Sequence, residues 1–167
     1  FDVVEQGGEH YTWVLSRLAI ELEDLPSCHE SFSIQTWVEN VYRLFADRNF
    51  VICDKDEKPI GYVRSVWAMI SMETRNPANL LALYGDRITN SICEKECPIA
   101  KPGRIKVSQQ EAVSEYVAKY SDLDINGHVN SIKYIEHILD IFPLDTYKKK
   151  ALKRFEIAYV AESYYGD

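Results

Sequence analysis

No run in this sequence approaches the roughly 18 consecutive apolar residues that a membrane-spanning helix requires, and its start does not read as a secretory signal. Methionine is scarce. The chain opens at Phe1 and its first methionine is Met69, so the natural N-terminus is expected to lie upstream, together with any targeting segment. Cysteine is limited to Cys28, Cys53, Cys93 and Cys97, too few and too scattered for a disulfide scaffold. Cys93 and Cys97 are close in sequence, but no second pair or nearby histidine completes a zinc pattern, so no metal is expected. Free thiols in a reducing compartment, the cytoplasm, are the reading that remains. Positive charge is also short. Residues 1–100 carry 9 basic and 16 acidic side chains, residues 101–167 carry 10 of each, and the formal net charge is −7. A nucleic-acid partner needs a basic face, so none is expected, and neither is a membrane.

What is present is ordinary for a globular chain of 167 residues: 46% hydrophobic and 27% charged, enough for one domain or two small ones. The one basic cluster is Lys148, Lys149, Lys150, Lys153 and Arg154, which a solvated face would explain. The most informative stretch is Ser121 to Phe142. Asp124, Asn126 and His128 alternate inside a polar turn, and Val129, Ile132, Ile135, Ile138, Leu139 and Phe142 then recur at helical spacing. Pro143 should end that helix. A helix N-terminus offers unpaired N–H groups and partial positive charge. An acid, an amide and an imidazole beside it point to chemistry on an oxygen that gains negative charge. A capped helix with a surface histidine is the competing reading.

The rest of the chain reads mostly as strands. Tyr11–Leu22 alternates with period two, and Ser31–Asp54 is a long strand-like stretch with a polar break near Ala46–Arg48. Ile60–Met72 is apolar on both faces, and the three together predict an antiparallel meander covered on at least one side. Residues 78–103, with a short apolar segment at Leu80–Tyr84 and then Pro98, Pro102 and Gly103, have the composition of a connection between domains. Ala112–Tyr120 and Leu152–Tyr165 read as strands on either side of the helix. The first half thus has strands without a long covering helix, and the second has a helix with too few strands to close a core.

The segment Asp122–Tyr134, DLDINGHVN…Y, resembles the active-site segment of acyl–acyl-carrier-protein thioesterases, and its looser form resembles the wider thioesterase hotdog superfamily. WVLSR at Trp13–Arg17, QTW at Gln35–Trp37, RSVWAMI at Arg64–Ile70 with Thr74–Arg75, and FEIAYVAES at Phe155–Ser163 resemble the same family in the same order, most closely its bacterial members. The resemblance implies an α+β double hotdog: two tandem units, each a curved antiparallel sheet around a long helix. Residues 1–100 would be the N-terminal unit and linker, without its first strand and helix. Residues 101–167 would be the C-terminal unit with the catalytic motif, without its last strands.

The family implies hydrolysis of a fatty acyl thioester on an acyl carrier protein, with no cofactor. By motif, the catalytic positions fall on Asp124, Asn126, His128 and Glu162, and substrate contacts on Asn130 and Tyr134. Two positions depart from the family pattern. Ser131 follows Asn130 where a second asparagine is common, and Ser163 stands where plant members often carry cysteine. A thiol nucleophile is therefore absent there, and attack by an activated water is the expected route. His128 could serve as base or donor, Asp124 could orient its ring, and Asn126 could hold water or the carbonyl oxygen. Which of Glu162 and His128 takes the proton stays open. Trp13, Trp37, Tyr62, Trp67 and Met69 are candidates for an acyl pocket, against the plainer reading of ordinary core. Lys148, Lys149 and Lys150 are candidates for recruiting the acidic carrier. A homodimer is compatible with the resemblance. The alternatives are a coenzyme A thioesterase of the same superfamily and an acyl-binding hotdog protein without catalysis.

Overall fold

The computed structural model describes residues 3–105 and 114–167. They form two compact units, Phe1–Gly103 with Lys153–Glu156, and Arg104–Leu152 with Ile157–Asp167. The division falls at Gly103, three residues beyond the expected one. Lys153–Glu156 returns to the first unit, which the sequence reading placed wholly in the second.

The first unit is an antiparallel sheet. Its strands are β1 (Val4–Gln6), β2 (Glu9–Leu22), β3 (Ser33–Val41), β4 (Phe45–Cys53) and β5 (Pro59–Ser71), in the order β1-β2-β5-β4-β3. The strand β6 (Arg154–Ala158) pairs with β2. The expected meander is corrected in one respect: β3, β4 and β5 are consecutive neighbours, but β2 lies against β5 rather than β3. The expected break at Ala46–Arg48 is also corrected. The chain reverses at Tyr42–Leu44, where the Tyr42 N–H donates to the Phe45 carbonyl at 2.7 Å. Asp47 stays inside β4 because Lys101 neutralises it at 2.9 Å, so a charge that reads as a breaker is satisfied in place.

Alternation along the strands gives the sheet two unlike faces. One carries Trp37, Val51, Cys53 and Tyr62, packed with Cys97 and Ile99 from the connecting segment. The other carries Ala46 and Met69, packed with Trp13, Ala78, Leu80, Tyr84 and Ile88. Two short helices, α1 (Leu80–Tyr84) and α2 (Asp86–Thr89), supply several of these residues where only a connection was predicted. The Asn79 side chain caps α1 by accepting from the Ala82 N–H. The connecting segment after α2 is held to the first face by polar anchors. The Trp37 indole donates to the Lys95 carbonyl at 2.6 Å. The Arg64 guanidinium donates to the Cys97 carbonyl at 2.6 Å, and it pairs with Glu39 at 2.9 Å.

In the second unit, a 3₁₀ turn at Tyr120–Asp122 leads to α3 (Ser131–Asp140), and α4 (Leu144–Lys149) starts just after Pro143. The helix expected to reach Pro143 ends at Asp140, and α4 was not foreseen. The strands expected here are mostly not strands. Ala112 and Val113 lie outside the described residues, and 114–119 has no regular ladder, although Ala118 exchanges backbone bonds with Gly166 and Asp167. Of Leu152–Tyr165 only Arg154–Ala158 is regular. Gly166 adopts φ 84°, and the Tyr164 N–H donates to the Asp167 carboxylate, so the chain turns where apolar content alone read as strand.

Candidate active site

The motif folds into a small hairpin. Asn130 N–H donates to the Asp122 carbonyl, Leu123 bridges Val129, and Asp124 N–H donates to the His128 carbonyl, the two bonds at 2.8 Å each. The sequence D-I-N-G dictates the reversal. The Asp124 carboxylate accepts from the backbone N–H of Asn126 at 2.8 Å and of His128 at 3.2 Å, while Gly127 takes φ 80°, which favours glycine. Asn130 then caps α3, its side-chain oxygen accepting from the Ile132 N–H at 3.0 Å.

Residues 162–164 run beside this hairpin. His128 and Tyr164 form an antiparallel bridge, and Val129 N–H donates to the Ser163 carbonyl at 2.8 Å. As a result His128 Nε2 lies 3.8 Å from Glu162 Oε2, beyond a direct hydrogen bond but within ion-pair range, both side chains half-buried. The Tyr164 ring stands edge-on to the imidazole at 5.0 Å. Asn126 is exposed at the hairpin tip. The structure thus brings together His128, just before α3, and Glu162, beyond β6, and puts Asn126 two residues from the imidazole. It assigns two side chains differently from expectation. Asp124 bonds the hairpin backbone, including the His128 N–H, rather than the imidazole ring. The Asn130 side-chain oxygen is committed to the helix cap.

A cavity of about 470 Å³ in the same unit is lined by residues including Tyr116, Val129, Tyr134, His137, Ile138 and Ser163. Tyr134 stands edge-on to Tyr159 at 5.7 Å, and burial pushes the Tyr159 hydroxyl up to about 12 while it donates to the Ser131 carbonyl. Lys148, Lys149 and Lys150 are exposed at the end of α4, with Lys148 3.5 Å from Asp145. The rest of the basic run parts from them. Lys153 donates to the Glu23 carbonyl, and Arg154 pairs with Glu21 and Glu156 in the first unit.

The first unit has its own cavity, about 520 Å³, walled by Trp13, Val38, Ala46, Trp67, Tyr84 and Ile88, with Arg48 and Arg87 also lining it. Of the residues expected to form an acyl pocket, Trp13 and Trp67 line it, and Met69 is fully buried in the core cluster containing Trp13. Trp37 and Tyr62 are not brought to it. The pleat turns them to the opposite face, where the Trp37 indole holds Lys95.

Sequence reasoning missed Asp122 and His137. Asp122 is 3% exposed and accepts from Lys119 N–H and Tyr116 hydroxyl, each at 2.7 Å, and from His137 Nε2 at 3.1 Å. The available signal was a histidine between Tyr134, Ile138 and Ile141 on the apolar side of α3, a place that demands a polar partner. Among the described residues no group of three or more His, Cys, Asp or Glu could hold a metal ion.

Models of the acyl-ACP thioesterase N-terminal and C-terminal domains match residues 6–85 and 105–167. The chain belongs to the acyl-ACP thioesterase family. A crystal structure of an acyl-ACP thioesterase from Bacteroides thetaiotaomicron is 64% identical with a TM-score of 0.86, over 94% of this chain and 63% of that one. The oleoyl-acyl carrier protein thioesterase 2 of Arabidopsis thaliana is 28% identical over 86% of this chain and 42% of its own length. The 12:0-ACP thioesterase from Umbellularia californica, at 19% identity and TM-score 0.75, shares the fold. The chain's antiparallel sheet with helices is consistent with the hotdog fold of this family and matches that bacterial structure. The chain spans under two thirds of the length of these relatives.

Proposed function

We propose that the protein this chain belongs to hydrolyses fatty acyl thioesters carried on acyl carrier protein, and that the second unit holds the reacting groups. The observation that carries the reading is the approach of His128 and Glu162, 3.8 Å apart, beside the hairpin that displays Asn126. Two proton acceptors at that separation are close enough for one water molecule to touch both. The water oxygen adds to the thioester carbonyl, and Glu162 or His128 takes its proton. The negative charge passes to the carbonyl oxygen, which the Asn126 amide can receive as a hydrogen-bond donor. The C–S bond then breaks, the departing sulfur takes up the proton, and a fatty acid and the carrier's thiol remain. Ser163 has no part in this route, since water is the nucleophile.

The apolar cavity of the first unit is the proposed seat of the acyl chain. Trp13 and Trp67 form its walls, and each methylene buried there contributes about 0.8 kcal/mol. Lys148, Lys149 and Lys150, exposed on α4, are proposed to attract the acidic carrier, and the reaction to run in the cytoplasm. The deciding experiment offers the full-length protein a long-chain acyl carrier and the matching coenzyme A ester and follows thiol release. Faster release from the carrier ester supports the reading. Preference for the coenzyme A ester would make it a coenzyme A thioesterase, and binding without release would make it a carrier of acyl chains.

A further inference from the structure

The hairpin of the proposed active site is closed at its base by Asp122 and Asn130, and Asp122 is also the most deeply buried charged group of its unit among the described residues. A buried carboxylate is tolerated only when its oxygens are fully engaged. Two donors, the Lys119 N–H and the Tyr116 hydroxyl, lie within six residues, so they organise only the approach to the hairpin. The third, His137 Nε2, comes from the second half of α3, 15 residues on. Tyr116 stacks on the His137 ring at 3.7 Å between centroids and holds its plane toward the carboxylate. The same residue therefore receives α3 twice: its carbonyl takes the N–H of the helix cap, and its side chain takes the imidazole.

We propose that Asp122 and His137 are a positioning pair, which fixes the hairpin bearing Asn126 and His128 to α3 and so sets their geometry for the reaction; the inference rests on the function proposed above. Neither residue touches the reacting atoms in this scheme. Without the His137 bond the hairpin keeps its internal ladder and the Asn130 N–H bond at the helix cap but loses its second tie to the helix, the one from the side chain. A displacement of about 1 Å in a reacting group lowers turnover by roughly 10²-fold.

The test uses the full-length protein and the variants His137→Phe, His137→Gln and Asp122→Asn. Phenylalanine keeps the ring against Tyr116 and removes the donor, while glutamine returns an N–H near the position of Nε2. The expected result for His137→Phe and Asp122→Asn is a fall in kcat of about tenfold to a hundredfold, with KM within about twofold of wild type. His137→Gln should recover most of the lost kcat. In parallel, amide exchange at His128 and Asn130 should quicken in His137→Phe while β4 and β5 stay protected. Unchanged kcat in His137→Phe, or equal losses in the phenylalanine and glutamine variants, would overturn the proposal. If the wild-type protein releases no thiol, the functional reading fails. Amide exchange then decides the pair alone, with unchanged exchange in His137→Phe counting against it.

Discussion

The two units use ionisable side chains in opposite ways. In the first, Arg64, Glu39 and Asp47 are turned inward and spent on architecture. Arg64 bonds Glu39 and the Cys97 carbonyl, Asn49 adds a bond to Glu39 at 2.5 Å, and Asp47 takes Lys101. In the second, His128 and Glu162 lie 3.8 Å apart with side chains 24% and 34% exposed, and they are the groups proposed to react. A buried pair of fixed charges can neither meet a ligand nor exchange a proton easily, whereas a half-open pair can do both. Depth of burial therefore separates groups that hold the fold from groups that can react. Asp122 crosses that division, since it is as deep as the charges of the first unit yet sits at the base of the reactive hairpin.

The two sets of residues should fail in different ways when altered. The largest effect is expected in the second unit of the full-length protein. Glu162→Ala and His128→Ala should each lower kcat by roughly 10²–10⁴-fold, and Asn126→Ala by about 10²–10³-fold. Ser163→Ala should change kcat little. Thermal melts should stay near wild type throughout, so a parallel loss of melting temperature, or an acyl-enzyme trapped on Ser163, would remove the distinction. The next effect belongs to the first unit. Arg64→Met leaves Glu39 without its counter-charge and should destabilise by about 3–5 kcal/mol in denaturant unfolding, with the remaining folded fraction fully active. Pairing it with Glu39→Leu should recover part of the loss, because replacing both members of a buried pair is often close to neutral. The smallest effect is at the surface. Lys148, Lys149 and Lys150 changed together to glutamate should raise KM for the carrier substrate a few-fold, more at low salt, and spare small thioesters.

Much of the first unit could be read in advance because strands signal themselves by alternation. Tyr11–Leu22 and Ile60–Met72 are found within two residues of β2 and β5. The errors have local physical causes. Asp47 reads as a break only if its charge faces water, and Lys101, 54 residues away in the chain, answers it. Partners that distant leave no periodic signal. Trp37 resembles Trp67 in sequence terms, and only the registers of β3 and β5 on β4 tell which face each occupies. In the second unit the hairpin and cap could be read from D-I-N-G and Asn130, since turn chemistry is short-range. The meeting of His128 with Glu162 could not, because irregular backbone joins β6 to Tyr164 and has no period to extrapolate. Family motifs named those residues, and the structure supplied their separation.

The anchors on the connecting segment of the first unit have a consequence for how that segment can change. Trp37 and Arg64 grip the carbonyl oxygens of Lys95 and Cys97, groups that every amino acid possesses. Its path is thereby encoded in the sheet beneath it as well as in its own buried Cys97 and Ile99. Glu94 and Glu96, both exposed, can drift or be replaced by a reactive handle for a dye while the route of the chain stays the same. Lengthening the segment by one residue between Lys95 and Cys97 is another matter, for it would put one carbonyl or the other out of reach of its grip.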